Sequence, residues 1–294
     1  MLKKLIFTIV FLLCGIAFAQ KETLPCPNCA TWNVPQKPFR IYTNTYYVGT
    51  HGLSSILITS DSGHILIDGG LAESATQIAD NIRTLGFRIT DVKLILNSYV
   101  HYDHAGGIAE LQRLSGARVA ASPWSAGVLS NTGVGRGDPQ FGVIRSIPLV
   151  KDVEVFHDGE DLGVGPLVIT AHLTPGHTPG GTSWTWKSCD GNDCLRLVYA
   201  DSLTPVSADG FKFTDSKEYP TAIQDFYKSF EFLRSTPCDI LITTHPDVSN
   251  LWERLQRRQQ GIKPDPMVDT AACRNLASSA EDALEKRLAS ENGQ

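Results

Sequence analysis

The segment Asn97–Gly107 constrains this chain most, because it places two imidazoles and a carboxylate within four positions. His101, Asp103 and His104 come soon after the apolar, β-prone run Val92–Leu96. A strand that ends in such a cluster presents nitrogen and oxygen ligands from a rigid scaffold, as a metal site requires. The segment therefore predicts a metal centre at the end of a buried strand.

Three further apolar runs end in polar side chains in the same way. In chain order, they are Leu167–Ala171 with His177, Leu195–Ala200 with Asp201 and Ser202, and Ile240–Thr244 with His245. Strand ends that converge at one edge of a sheet, with helices outside, commonly form the pocket of an α/β protein. We therefore expect the four strand ends to meet at one edge of a sheet.

Zinc suits this set of side chains, because it prefers imidazole nitrogen and carboxylate oxygen. A catalytic zinc has three protein ligands and one position for water. Asp103, His104 and His245 supply one such set of three. His101 and His177 supply two ligands of a neighbouring site. A bound zinc lowers the pKa of its water to about 7, so the sequence predicts a hydrolytic centre with one or two zinc ions.

The other candidate ligands do not stand in such a cluster or after such a strand. Four histidines are predicted to be ordinary structural residues, namely His51, His64, His157 and His172. Asp68 stands at a strand end before two glycines, and we interpret it as a turn carboxylate or as a partner of a ligand.

The first residues predict export. Lys3 and Lys4 precede an apolar stretch that ends at Ala17-Phe18-Ala19, so residues 1–19 read as a secretory signal peptide. The stretch is too short for a membrane span. Cleavage would leave one hydrolase domain, residues 20–294, and would change the formal net charge from −5 to −7. An acidic, exported chain without a basic run argues against nucleic acid and membrane partners. We expect a periplasmic or secreted monomer that acts on a small molecule.

Six cysteines remain after cleavage, which suggests three disulfides in an oxidising compartment. We predict sequential pairing, that is Cys26–Cys29, Cys189–Cys194 and Cys238–Cys273. The Cys26-Pro-Asn-Cys29 motif is also compatible with a redox or zinc motif, although a single isolated pair is a weak signal for either.

Periodicity and turn residues predict the main elements. Ser54–Asp68 reads as a hairpin, and the Gly-rich segment Asn131–Gln140 as a loop able to overhang a cleft. Helices are predicted at residues 73–85, 108–114, 123–129, 221–233, 251–260 and 270–289.

Several motifs together resemble the metallo-β-lactamases of the third subclass. The matching segments are Gly52–Ser55, Ile67–Gly70, His101–His104, Thr174–Thr178 and Ala200–Thr204. The resemblance implies an αββα sandwich and a zinc-held hydroxide that opens the amide of β-lactam antibiotics. It assigns His101 and His177 to a first zinc site, and Asp103, His104 and His245 to a second.

The same resemblance implies further roles and one departure. It assigns Asp103 a catalytic role in orienting the attacking water, and Ser202 and Thr204 to the substrate carboxylate. Tyr99 stands where most members of the family carry a histidine. Tyr99 can ligate as a phenolate, leave a weak first site, or leave only the second site occupied; we favour a weak first site.

Two alternatives remain open at this point. Another hydrolase of the superfamily, a lactonase or thioesterase, places an aspartate that bridges the metals near Asp201. A degenerate member would bind metal or ligand without turnover, which the change at Tyr99 would permit.

Overall fold

The computed structural model describes residues 24–131 and 133–293, so the predicted signal peptide lies outside the described residues. Within them, seven strands form one sheet and five form another. The first sheet consists of β1 Phe39–Tyr42, β2 Thr45–Tyr47, β3 Ile56–Ile58, β4 His64–Ile67, β5 Val92–Leu96, β6 Arg118–Ala121 and β7 Val153–Val155. The second consists of β8 Asp161–Val164, β9 Leu167–Leu173, β10 Thr182–Asp190, β11 Asp193–Ala200 and β12 Ile240–Thr243.

The pairing of the strands gives each sheet a mixed topology. The first sheet keeps sequence order, antiparallel from β1 to β4 and parallel from β4 to β7. The second has the order β12-β11-β10-β9-β8, in which only β11 and β12 run parallel. The helices are α1 Cys29–Trp32, α2 Ser74–Thr84, α3 Tyr102–Ala105, α4 Ile108–Ser115, α5 Pro123–Leu129, α6 Ala222–Ser235, α7 Leu251–Gln259 and α8 Ala272–Glu291.

Alternating side chains on the strands create the layers. On β4, Ile65 and Ile67 belong to a core shared with the second sheet, whereas Leu66 packs with the helices α2 and α4. On β11, Tyr199 faces that same shared core, whereas Val198 packs with α6 and α8. Because strand side chains point alternately to opposite faces, each sheet buries both of its faces. The result is the predicted αββα sandwich.

Most predicted elements are confirmed, with ends that differ by at most two residues. One expectation is wrong, because the four strand ends do not share a single sheet. β5 lies in the first sheet, whereas β9, β11 and β12 lie in the second. All four runs are apolar enough to be buried, and that property does not reveal which of two stacked sheets a strand joins. The site therefore forms where the ends of two sheets meet.

Three disulfides join the predicted cysteine pairs, Cys26–Cys29, Cys189–Cys194 and Cys238–Cys273. The second closes the β10–β11 hairpin, and the third links the segment before β12 to the first turn of α8. In the part of the chain that the structure describes, no helix combines the length and apolarity needed to cross a bilayer.

Candidate active site

The end of β5 and the short helix α3 hold the first predicted cluster. His101 precedes α3, and Asp103 and His104 lie on it. The loop after β4 packs directly on this segment, so closely that a Cβ on Gly107 would lie 2.2 Å from the Gly69 carbonyl oxygen. Glycine is therefore required at position 107, because any larger residue would push the cluster away from the sheet.

Asp103, His104 and His245 converge on one point; we call them the second half-site. The two Nε2 atoms, of His104 and His245, lie 3.2 Å apart. Asp103 Oδ2 lies 3.2 Å from His104 Nε2 and 3.4 Å from His245 Nε2. Within residues 24–131 and 133–293, these three form the one group of at least three His, Cys, Asp or Glu residues whose ligand atoms all lie within 4.8 Å.

These separations fit a zinc ion. Tetrahedral zinc with bonds of about 2.0–2.2 Å holds its ligand atoms roughly 3.3–3.6 Å apart. One of the three contacts, moreover, joins two ring nitrogens, whose lone pairs repel unless a cation or a proton lies between them. The donor set and its spacing therefore match a three-ligand zinc site with room for a fourth ligand.

Both rings of the second half-site have polar groups behind them. His245 Nδ1 donates to the Gly52 carbonyl oxygen at 3.3 Å, so Nε2 remains free to bind a metal. Asp68 Oδ2 lies 3.8 Å from His104 Nδ1, on the side away from the other ligands. Asp68 itself accepts hydrogen bonds from the Ser98 backbone and hydroxyl and from the Tyr199 hydroxyl. It therefore lies behind a ligand rather than among the ligands.

The neighbouring histidines determine the charge of the carboxylate in the second half-site. Burial alone would raise the pKa of Asp103, but His104 and His245 hold that pKa well below its usual value. Burial raises the pKa of Asp68, although His104, Ser98 and Tyr199 oppose the rise. Asp103 is thus an anion throughout the neutral range, as a carboxylate that binds a metal must be.

His101, His177 and Tyr99 form the other side of the site. We call His101 and His177 the first half-site, and Tyr99 lies beside both of them and beside His104. The Tyr99 ring centroid lies 4.3 Å from that of His104, 5.0 Å from that of His177 and 5.2 Å from that of His101. The phenol therefore lies beside three imidazoles, at the place where a third ligand of the first half-site is expected.

Tyr99 is poorly suited to ligate. Its side chain is buried, and burial together with the carboxylates of Asp103 and Asp201 raises its pKa well above the ordinary value. A phenol in that environment keeps its proton at neutral pH and offers a metal no anion.

The two histidines of the first half-site are held by different partners. His177 Nδ1 donates to the Thr204 carbonyl oxygen at 2.8 Å, which leaves Nε2 as the free nitrogen. Burial and the nearby His101 lower the pKa of His177 to about 3. Burial also disfavours the charged form of His101, but Asp138 outweighs it and raises the His101 pKa. His177 is therefore neutral and able to bind a metal, whereas the pKa of His101 is set by Asp138.

A cavity of about 570 Å³ opens over both half-sites. Ser202 and Thr204 line it, and their hydroxyl oxygens lie 3.0 Å apart. The Thr204 hydroxyl is also 3.2 Å from His177 Nδ1. Two adjacent hydroxyls at the mouth of a pocket can donate hydrogen bonds to a carboxylate.

Asp201 lies in the cavity wall but does not join the metal ligands. Its Oδ1 accepts from the Ser202 backbone N–H at 2.7 Å, and its Oδ2 is packed against Gly181, where a Cβ would lie 2.0 Å away. Burial raises the pKa of Asp201 well above the usual range. The arrangement gives no support to a role for Asp201 as a bridging ligand.

The remaining histidines lie outside the cavity, as expected. His51 stacks on Trp252, His64 contacts Phe87, and His172 bonds to Thr185. His157 also lies away from the cavity walls.

Sequence reasoning missed several parts of the site. Trp32, from the disulfide-closed N-terminal segment, lies 5.3 Å from the His245 ring, and Gln140 reaches the cavity from the predicted loop. Asp138, also from that loop, contacts His101. The loop was expected to overhang a cleft, but nothing in the sequence around Asp138 singled it out. Helix α8 supplies Leu276 and neighbouring residues to the far wall.

Comparisons with known proteins agree with this geometry. A model of the metallo-β-lactamase superfamily matches residues 48–190. The chain is similar to the solved structure of the Rm3 metallo-β-lactamase, with 56% identity, a TM-score of 0.89 and coverage of 91% of this chain and 99% of that one. It is also similar to MEM-A1, a subclass B3 metallo-β-lactamase from a soil metagenome library, with 48% identity, a TM-score of 0.87 and coverage of 89% and 99%.

A curated relative is more distant. The N-acyl homoserine lactonase AttM of Agrobacterium fabrum is 29% identical over 173 residues, which are 49% of this chain and 63% of the lactonase. The chain thus spans less than two thirds of that relative's length. The likeness to Rm3 extends over almost the whole of a solved enzyme at 56% identity. The chain therefore belongs to the metallo-β-lactamase superfamily.

Proposed function

We propose that this protein is a zinc-dependent β-lactamase of the third subclass, which hydrolyses the amide of the β-lactam ring. One observation carries the proposal: the ligand atoms of Asp103, His104 and His245 lie 3.2–3.4 Å apart at the floor of a cavity. The likeness to the Rm3 enzyme and to MEM-A1, named as a subclass B3 metallo-β-lactamase, supports the choice of reaction and subclass.

The residues around the cavity divide the chemistry among them. When bound, zinc supplies a Lewis acid and a water whose pKa is lowered to about 7. Asp103 accepts a hydrogen bond from the attacking water and fixes its direction toward the ring carbonyl. Ser202 and Thr204 donate to the substrate carboxylate and hold the ring in register. His104 and His245 direct Nε2 toward the metal position, and the Gly52 carbonyl oxygen accepts a hydrogen bond from His245 Nδ1 on the outer side.

We propose that the two half-sites bind zinc with different strength. The second half-site has three ligands and holds zinc tightly. The first has His101 and His177 only, and Tyr99 adds a protonated phenol, so this half-site binds zinc weakly. A tightly held ion with a second, weakly held ion is the state in which we expect the enzyme to work.

The chain is further proposed to act outside the cytoplasm. The composition of residues 1–19 and the three disulfides favour export to the periplasm or beyond. We propose one hydrolase domain over residues 20–294, active as a monomer on a small-molecule substrate.

A lactonase is the second candidate, because a curated relative carries that name. The position of Asp201 weakens it, since the carboxylate is turned toward Gly181 and the Ser202 backbone. A member of the superfamily that binds metal without turnover is the third candidate, and its motivation is Tyr99 alone.

One assay separates the three candidates. Purified protein with saturating zinc is tested against a penam, a cephem, a carbapenem, an acyl-homoserine lactone and a thioester, with zinc content measured by mass spectrometry. We expect at least one β-lactam to be the preferred substrate, by kcat/KM. Preference for the lactone or thioester would assign the other hydrolase class, and zinc without any turnover would assign the degenerate member.

A further inference from the structure

We propose that Asp138 is the positioning residue of the first half-site: it fixes the ring of His101 so that Nδ1 is the nitrogen available to a metal. The inference rests on the proposed zinc-dependent function and deepens it, since it names the residue that orients one of the two imidazoles of the first half-site. Asp138 comes from the described part of the segment 131–140, well away from the motifs that define the site.

The contact is short and dry. His101 Nε2 lies 3.0 Å from Asp138 Oδ2 and 3.2 Å from Asp138 Oδ1. The side chain of His101 is 4% exposed and that of Asp138 is 0% exposed, so water does not compete for either group. A charge-assisted hydrogen bond in such surroundings is stronger than one at the surface.

The contact also decides the tautomer. A carboxylate accepts hydrogen bonds, so the proton of a neutral His101 sits on Nε2 and the lone pair on Nδ1. The Gln140 side-chain amide nitrogen lies 3.5 Å from His101 Nδ1, a placement in which Nδ1 acts as the acceptor. Metal-binding histidines generally donate their other N–H to a carboxylate or carbonyl, as Asp138 allows here.

Asp138 is itself held in place by the loop. Its Oδ1 accepts from the Gln140 backbone N–H at 2.8 Å, and its own backbone N–H donates to the Gly135 carbonyl oxygen at 3.0 Å. Among the described residues, no lysine or arginine forms an ion pair with it, so the His101 ring is its cationic or hydrogen-bonding partner. A buried carboxylate that faces one imidazole, with no other counter-charge, is best explained if it orients that imidazole.

The arrangement gives the two half-sites different kinds of support. The second half-site has three ligands of its own. The first has two imidazoles, of which His177 is oriented by the Thr204 carbonyl and His101 by Asp138. Loss of Asp138 should therefore weaken the first half-site and spare the second.

A zinc titration against a chromophoric chelator tests this in the full-length mature protein. Asp138→Asn keeps the shape and removes the charge. We expect it to weaken the weaker zinc-binding phase about 10–100-fold, as loss of such partners typically does, and to leave the tighter phase unchanged. Asp209→Asn, at an exposed position in a nearby turn, is the matched control and should change neither phase.

Two further measurements separate positioning from general structural damage. In zinc-free protein at an alkaline pH at which His101 is neutral, histidine-selective ¹H–¹⁵N spectra should show its ring protonated on Nε2, and Asp138→Ala should produce a mixture of tautomers. His101→Ala alone should abolish the weaker phase, and adding Asp138→Asn should change nothing further, the tighter phase included, because Asp138 acts through His101.

The outcomes distinguish this inference from the proposed function. An unchanged weaker phase in Asp138→Asn, an unchanged His101 spectrum in Asp138→Ala, or an equal loss in both zinc phases overturns the role of Asp138. Absence of any weaker phase in the wild-type protein overturns the first half-site as a zinc site. The spectra still decide, in that case, whether Asp138 fixes the tautomer.

Discussion

The two half-sites face the same cavity but differ in how completely the chain assembles them. The second half-site brings three ligand atoms to within 3.4 Å of one another. The first supplies two imidazoles with ring centroids 4.9 Å apart and a protonated phenol beside them. The two sides of one cavity therefore differ in the number of ligand atoms that they bring together.

The second half-site is where a substitution should cost most. Asp103→Asn preserves volume but removes the anionic ligand, so we expect loss of the tightly bound zinc. We expect kcat/KM to fall by more than about 100-fold, beyond what the loss of an outer partner of a ligand costs. Zinc content by mass spectrometry and steady-state kinetics measure both effects. Activity within tenfold of wild type would contradict the dominance of this half-site.

The first half-site should be more tolerant. His177→Ala removes one of its two imidazoles, and we expect the weaker zinc phase to disappear while the tighter phase remains. Since the tightly held ion stays, kcat/KM should fall much less than it does in Asp103→Asn. His172→Ala, on β9 before the same loop, is the matched control. If His177→Ala abolished both zinc phases, the two half-sites would not be independent.

Restoring the missing imidazole should narrow the difference. Tyr99→His replaces a phenol that keeps its proton with a nitrogen ligand. We expect the weaker phase to tighten by at least about tenfold, equivalent to about 1.4 kcal/mol. Activity should rise at limiting zinc and change less at saturating zinc. Unchanged stoichiometry and rate in a zinc titration would show that Tyr99 is not what weakens this half-site.

The smallest effect is expected at the cavity mouth. Ser202→Ala removes one hydroxyl proposed to bind the substrate carboxylate, worth about 1 kcal/mol or roughly fivefold in KM. Because the Ser202 hydroxyl contacts Thr204 and not His101 or His177, both zinc-binding phases should be unchanged. Ser290→Ala, at the far end of α8, serves as the control. A fall in kcat with constant KM would instead give Ser202 a part in the chemical step.

Much of the site could be predicted because its signals are local. His101, Asp103 and His104 stand within four positions after a buried strand, and the strand itself is confirmed at Val92–Leu96. His245 could be added because it follows another such strand. The αββα sandwich was predicted through the resemblance to the metallo-β-lactamases. The pairs Cys26–Cys29 and Cys189–Cys194 could be predicted because each closes a short segment.

The parts that could not be predicted are those that depend on long-range packing. Asp138 lies 37 positions from His101 in a loop without periodicity, and Trp32 belongs to a segment that the N-terminal disulfide holds. The assignment of β5 to one sheet and of β9, β11 and β12 to the other was also beyond the sequence. Each strand is apolar enough for either sheet, and only the packing of the two sheets selects the partner.

The order of amino acids fixes which ligand types this protein offers a metal, because residue identity sets donor atoms and charge. It also fixes that position 99 offers a phenol. Folding is what brings Asp103, His104 and His245 within bonding reach of one cation. It also makes Asp138 face His101, since contacts between distant segments follow from how the two sheets and their loops pack.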